Sequence, residues 1–518
     1  MISSNNKRLL KNSIALYART FVVMLISLYA TRVVLRELGV VDYGIYNVVA
    51  GFVTMFSFVS GALSLAISRF ITYEMGKGDL QSVRRVFSAS IVVQISLAFL
   101  VLLISEAVGG WFLNNKMNIP TDRIYAANWI FHCSVVSFCL NLLIIPYNAL
   151  ITAFEKMKVF AYFSILEATL KLLVCYVIIL SIFDKLIVYG ILLMITSLIM
   201  RILYGVYCKI KIKESKFTRE FKRHDIISIG KFAGWTFLSN GAAILNTQGV
   251  NVLTNIFFNV SYNAARGMAT QAESAIRQFV NSFTTSINPQ IIKQYASGEK
   301  DKLFRLICRG SKFSFFLFVL FALPFIFEAN FILKIWLETI PDKAVVFFKL
   351  AIICAMIDVL GSSCTTACQA TGKMKFYVLS ISSLSILVFP MSFMAYYIGM
   401  PVESSYYIFI FIYILITIVR LFVMKHLLGF PPRMFVSSVF YRIVLCASLT
   451  IICPYMIVSL FEESVFRLFM NFTLTSLCSS LIFFQLGCEK RERESIKEII
   501  MNKIYMLKCT QLKKMLGL

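Results

Sequence analysis

Fourteen long apolar runs, each interrupted by a short polar connection, constrain this chain more than any other feature. A helix needs about 20 apolar residues to cross the hydrocarbon of a bilayer, and runs of that length lie at 12–35, 44–69, 86–108, 124–151, 159–182, 186–208, 225–257, 263–289, 306–332, 343–370, 376–399, 403–426, 436–460 and 465–488. Barrel strands are too short to account for them, and only helices or closed barrels satisfy their backbone in lipid. The expected fold is all-α and integral to the membrane, with fourteen transmembrane helices. A hydrophobic content of 59% and 48 phenylalanines exclude a single soluble core.

The charge pattern orders these spans. A formal net charge of +25 would point to nucleic acid in a soluble chain, but in a membrane protein basic residues collect in cytoplasmic loops, so no nucleic-acid partner is expected. Even-numbered connections carry Lys77, Arg84 and Arg85, then Lys156 and Lys158, the run Lys209 to Arg223, Lys293 to Lys312, and Lys373 with Lys375, whereas odd-numbered ones are poor in Lys and Arg. Both termini are therefore expected in the cytoplasm. "MISSNNKRLLKNS" runs into the first apolar stretch without a small-residue cleavage site, so it is expected to remain as an uncleaved first span. The last residues, with Ile496, Ile499, Ile500, Ile504 and Leu507 among basic side chains, are expected to form an amphipathic helix on the inner leaflet.

The chain also aligns with itself. "SRFITYEMGKGDL" from Ser68 pairs with "NPQIIKQYASGEKDKL" from Asn288, and "ITAFEKMKVF" from Ile151 pairs with "CQATGKMKFY" from Cys368, in the same order and at nearly the same offset. A duplication of six spans follows, giving an N-lobe at 1–215, a C-lobe at 216–430, two appended spans at 431–488 and a tail at 489–518. Because six is even, both copies share one orientation, which implies a central cavity between lobes that rock. The basic run Lys209 to His224 links them.

Polar faces on several helices are expected to line that cavity. At 100° per residue, Arg266, Thr270, Glu273, Arg277, Asn281, Thr284 and Asn288 fall within about 60° of one another. Thr236, Asn240, Thr247, Asn251 and Thr254 form a second stripe, Asp358, Ser362, Thr365 and Gln369 a third, and Asn141, Asn148 and Thr152 its repeat partner. A central charge costs on the order of 2.5–3.5 kcal/mol on insertion scales, so those that persist mark a function or a partner. Arg32, Arg201, Lys231, Arg420 and Arg442 lie near span ends and are expected to snorkel. Glu167 and Lys171 are spaced to pair, with a protonatable Glu167 as the alternative; Glu273 and Arg277 are spaced likewise, leaving Arg19 and Arg266 without an obvious local acid. Arginine holds phosphate bidentately, and more strongly in low dielectric, so such a cavity favours an anionic headgroup over a cationic drug. Amides and hydroxyls beside it suit sugars.

Other functions find little support. The outward connections, of which Gly109 to Arg123 is the longest, are too short for a catalytic domain, and there is no G-x-x-x-x-G-K-[ST] loop. The thirteen cysteines form no CxxC pair or zinc spacing. Neither enzymatic activity, a cofactor nor a metal is expected.

The spans in two lobes plus two, the passage "RVVLRELGVVDYGIYNVV" and the segment "SRFITYEMGKGD" resemble the polysaccharide transporters of the multidrug/oligosaccharidyl-lipid/polysaccharide exporter superfamily, above all Wzx-type O-antigen or repeat-unit flippases. These are related to lipid II flippases and to MATE drug antiporters. The resemblance implies carriage of an undecaprenyl-diphosphate-linked oligosaccharide across the bacterial inner membrane by alternating access, beside a polysaccharide polymerase or assembly proteins. It implies that Arg19, Arg277 and, less closely, Arg266 hold the diphosphate; the polar stripes themselves supply Asn240, Thr247, Asn251, Asn281, Asn141, Asn148 and Gln369 as the other candidate cavity residues. Coupling to an ion gradient or membrane potential falls to Glu273, Asp358 or Glu167. The alternatives are a lipid II flippase and a cation-coupled multidrug antiporter, the latter disfavoured by Arg19 where that branch carries an acid.

Overall fold

The computed structural model describes residues 4–76, 79–154, 156–218, 241–296, 298–337, 339–371, 374–490, 492–494 and 497, with side chains from residue 21 onward apart from scattered positions. Among the described residues there is no strand. The helices that position the site are α1 (Ser4–Thr54), α2 (Ser57–Gly76), α3 (Leu80–Ile104), α4 (Ile124–Leu142), α5 (Ile145–Ala153), α6 (Met157–Leu180) and α7 (Lys185–Lys211). After a π-helical turn at Leu245–Gly249 come α8 (Val250–Phe257), α9 (Val260–Ala296), α10 (Lys300–Phe327), α11 (Ala344–Val359), α12 (Ser362–Ala370), α13 (Met374–Ile386), α14 (Val388–Tyr397), α15 (Ser404–Leu428), α16 (Tyr441–Leu460) and α17 (Val465–Ile482).

Ten helical stretches among the described residues, from Leu80–Asn115 to Val465–Gly487, are long and apolar enough to cross a membrane. Of the remaining expected spans, those at 12–35, 44–69 and 263–289 fall on α1, α2 and α9, the last helical throughout but polar, while residues 225–240 of the one at 225–257 lie outside the described residues. Local chemistry sets the boundaries. Gly39, at φ 76°, kinks α1 between its first two expected spans, a left-handed conformation that costs glycine little. Asp79 accepts from the Ser82 amide at 2.9 Å to open α3, Asp184 from the Leu186 amide at 3.0 Å to open α7, and Ser464 from the Arg467 amide at 3.1 Å to open α17. Each satisfies an amide that helix geometry leaves without a partner.

Large apolar side chains such as Phe99, Phe422 and Phe469 are exposed on the outside of the bundle, as a lipid-facing surface requires. Inside, Val48, Val49, Ala264, Ala265, Phe347 and Ile352 belong to one buried cluster that joins the first and second parts of the chain. The two self-aligned segments fall at corresponding junctions, between α2 and α3 and between α9 and α10 for one pair, between α5 and α6 and between α12 and α13 for the other. Of the basic run Lys209 to His224, residues through 218 are described; Arg84 Nε donates to the Lys216 carbonyl at 2.8 Å, laying this segment against α3. The start of the expected tail is packed: Glu492 is buried and receives Lys312 Nζ at 2.6 Å. Its amphipathic part, from residue 498, lies outside the described residues.

Candidate functional site

Two cavities meet at the second half of α1. The first, of about 330 Å³, lies among α1, α8, α9, α11 and α15 and is lined by Arg266, Glu273 and Arg277 together with Thr247, Asn251 and Thr270. The second, of about 480 Å³, lies among α1, α4, α6 and α7 and is lined by Thr31, Ser134, Ser137, Asn141, Lys171 and Ser197. Tyr46, Asn47, Ala50, Thr54, Gly267 and Gln271 border both, so the two chambers share one wall.

Arginines 266 and 277 differ in their surroundings. Arg277 Nε lies 2.5 Å from Glu273 Oε1 and its Nη1 2.7 Å from Asp358 Oδ2, so both carboxylates grip one guanidinium. Arg266 is 7% exposed, donates from Nη1 to Ser405 Oγ at 3.2 Å and lies over the Tyr406 ring at 4.9 Å. Among the described residues no carboxylate forms an ion pair with it. A buried guanidinium held by a hydroxyl and a ring keeps donors for an anion.

Some expected residues stand elsewhere, for a definable reason. α9 carries Arg266, Thr270, Glu273 and Arg277 along the first cavity, but further on Asn281 is exposed and Asn288 Oδ1 accepts from Thr366 at 2.9 Å. Asn141 reaches the second cavity, whereas Asn148 and Gln369 line neither. Both follow a break in their helix, at Leu143–Ile144 and Leu360–Gly361, and an angular sum carried through a break assigns the wrong face. Ser362 and Thr365 are lost from the cavity in the same way, Thr365 bonding to Tyr377 at 2.8 Å. Arg420 does not snorkel. It is 7% exposed, and its guanidinium sits so close to Gly361 that any side chain there would collide with it. Glu167 pairs with Lys171 at 2.7 Å, both half-exposed. Asn240 and Thr236 lie outside the described residues, and of Arg19 only the backbone is described, within α1.

Sequence reasoning missed Tyr46, Asn47, Gln248, Gln271 and Tyr406. The signal for the first two existed, since Tyr43, Tyr46, Asn47, Ala50 and Thr54 recur at helical spacing just after the kink. Gln248 sits in the π-helical turn Leu245–Gly249, whose extra residue per turn re-aims side chains. Ser405 and Tyr406 are hidden at the start of an apolar run and gave none.

At the end of the bundle that carries the Lys- and Arg-poor connections, the two parts of the chain are sealed together. Asn251 Nδ2 donates to the Asn47 carbonyl at 3.2 Å, and Asn263 Nδ2 to Asn251 Oδ1 at 2.8 Å. Asn118 donates its amide to Asn255 Oδ1 at 2.9 Å, and Trp336 Nε1 donates to the Leu28 carbonyl at 2.8 Å. Gly44 lies against the Val260 carbonyl and Gly267 against the Asn47 amide, closer than a side chain at either position would allow.

The family model described as polysaccharide biosynthesis protein matches residues 9–294, more than half of the sequence. The chain belongs to that family. No curated protein sequence matches it. Among solved structures, the lipid II flippase MurJ in an inward closed conformation is similar at 15% identity and TM-score 0.64, over 92% of this chain and 99% of that one. A multidrug resistance MATE transporter of the MOP superfamily in its outward-facing conformation matches at 11% identity and TM-score 0.59, over 81% and 96%. A MOP superfamily transporter from Pyrococcus furiosus, whose binding pocket is described as of reverse polarity, matches at 11% and 0.56, over 81% and 96%. This polysaccharide biosynthesis protein is thus a multi-pass membrane protein with the fold shared by MurJ and the MATE transporters.

Proposed function

We propose that this protein is a flippase that moves an undecaprenyl-diphosphate-linked oligosaccharide, a repeat unit of O-antigen, capsule or exopolysaccharide, across the bacterial inner membrane by alternating access. The observation that carries the reading is Arg266, a buried guanidinium lining the first cavity with no carboxylate on it among the described residues. It receives the diphosphate. The second chamber, lined by hydroxyls and amides, receives sugar while the lipid tail stays in the bilayer. Arg19, on the first half of α1, remains a further candidate for the phosphates.

In this reading α1 and α2, the helix leading into α8, and α9 also cross the membrane, completing fourteen spans with both termini in the cytoplasm, in lobes at 1–215 and 216–430 followed by spans at 431–488. The helix breaks at Leu143–Ile144 and Leu360–Gly361, placed alike in the two halves, support the duplication. The asparagine seal closes the periplasmic end, and the cavity is loaded from the cytoplasm. Glu273 and Asp358 are the coupling groups. Protonation of either weakens its hold on Arg277, which then turns to the diphosphate, and this links headgroup capture to an ion gradient. A cation-coupled drug antiporter would need an acid free to meet the drug, and both acids here are engaged by Arg277.

The test is Arg266→Ala in cells whose surface glycan depends on this protein. Losing a charge-assisted contact costs about 1.5–3 kcal/mol, so export should fall by roughly 10- to 100-fold at normal protein level. Arg266→Lys should recover only part, because an ammonium lacks the planar fork. Undiminished export by Arg266→Ala would overturn the diphosphate role. Flipping of defined lipid-diphosphate sugars in vesicles separates a repeat unit from lipid II.

A further inference from the structure

A second concentration of charge sits away from both chambers, where the start of α10, the start of α16 and the segment after α17 converge. A cavity of about 670 Å³ there is lined by Arg305, Arg309, Lys312, Arg442, Lys490 and Arg493, against two acids, Glu489 and Glu492. It shares no lining residue with either chamber. These helix ends lie on the face of the bundle that carries the basic connections.

The acids are already used by the wall. Glu492 receives Lys312 Nζ at 2.6 Å, Arg309 Nε at 3.1 Å and the Glu489 amide at 2.8 Å, and Glu489 stands 3.7 Å from Arg442. The cations are not used up. Arg305 and Lys490 are exposed and form no ion pair among the described residues, Arg493 donates from Nε to the Cys488 carbonyl, and Arg442 divides its donors between the Gly487 carbonyl and Glu489. The sequence after Arg493 holds Lys497, Lys503, Lys508, Lys513 and Lys514 against Glu494 and Glu498, so it adds further positive charge rather than balancing it.

One turn deeper in the membrane the same elements form a close-packed apolar patch, in which Phe316 stacks on Phe483 with ring centroids 4.0 Å apart beside Val319, Cys446 and Ala447. Phe316 lies one helical turn past Lys312, and Cys446 one turn past Arg442. Phe440, Tyr441 and Val444 beside it are exposed to lipid. A basic hollow beside an exposed apolar rim fits an amphiphile rather than a free ion.

We propose that this cavity binds the headgroup of an anionic membrane phospholipid, with its acyl chains against the exposed Phe440, Tyr441 and Val444, fastening the last two helices to α10. The experiment uses the full chain in neutral detergent and follows its thermal unfolding and binding with short-chain phosphatidylglycerol, phosphatidylcholine of equal chain length, or inorganic pyrophosphate. Phosphatidylglycerol should bind and stabilise, and the other two should not. Arg305→Ala and Lys490→Ala, whose side chains form no ion pair among the described residues, should each weaken that binding by roughly fivefold, and raised salt should weaken it further. Equal effects of phosphatidylcholine, equal effects of pyrophosphate, or unchanged phosphatidylglycerol binding in the double variant would each overturn the proposal.

Discussion

The two chambers on either side of α1 are built from opposite materials. On one side Arg266, Glu273 and Arg277 put charge into the wall, backed by Asp358 and the buried Arg420. On the other, hydroxyls and amides such as Ser134, Ser137 and Asn141 dominate, and the one charged lining residue, Lys171, is paired to Glu167. The difference teaches where selectivity resides. A guanidinium in low dielectric discriminates strongly for an anion, whereas exposed hydroxyls and amides exchange partners with water at little net cost. A flippase of the kind proposed above would use this division, with strict recognition of the constant diphosphate and tolerance of the variable glycan.

The strongest way to break the comparison is to unbalance the charged side. Arg277→Gln leaves Glu273 and Asp358 without their shared cation, and because all three are half-buried the cost stays below the about 3–5 kcal/mol of a fully buried pair. A sharp fall in melting temperature and in membrane-inserted protein is expected. Adding Glu273→Gln and Asp358→Asn should restore the melt but not glycan export. A restored export would show that the triad only holds the helices together.

Next in size is Gly361→Ala. The new methyl meets the Arg420 guanidinium, and overpacking a filled interior costs about 1–3 kcal/mol. Pairing it with Arg420→Ala, which vacates the space, should recover part of the loss in a thermal melt. Smaller still is Asn141→Ala on the neutral side, where one hydrogen bond is worth about 1 kcal/mol. It should weaken transport of glycans that reach Asn141 by severalfold, leaving binding of a sugar-free lipid diphosphate unchanged.

How much of this was legible in the sequence follows from the same contrast. Long apolar runs with alternating loop charge identify a helical membrane bundle unaided, and the spacing of Arg266, Thr270, Glu273 and Arg277 on one uninterrupted helix places them in a cavity. Helical spacing fails where the helix does. Asn148 and Gln369 lie past breaks, and Gln248 lies in a π-helical turn. It is also silent on tertiary partners. Glu273 lies within reach of Arg277 along one helix, but nothing local says that Asp358 completes the grip, that Tyr406 supports Arg266, or that Gly361 makes room for Arg420.

The smallest expected effect concerns acid stability at the outer rim, where the first half of the chain keeps the charge its chamber lacks. Arg123 bridges two carboxylates, its Nε donating to Asp42 at 2.8 Å and its Nη1 lying 2.7 Å from Asp184. Burial pushes the Asp184 carboxyl up, but hydrogen bonds from Arg123 and from the first amides of α7 outweigh it and hold the group below its ordinary range. Asp42 goes the other way, since burial raises it more than Arg123 lowers it. A depressed carboxyl contributes stability that is complete above its unfolded value and is lost as pH falls through the folded one, while a raised carboxyl takes up its proton more readily when folded and so favours the fold on acidification. The two partly cancel, and the parent protein should lose little stability at this rim until below about pH 4. Asp184→Asn should remove the acid loss, and Asp42→Asn, which deletes the opposing group, should steepen it. Melting temperatures of both variants across that range, measured beside the parent, decide whether the rim behaves as two opposed carboxyls on one guanidinium or as a single ion pair with a bystander.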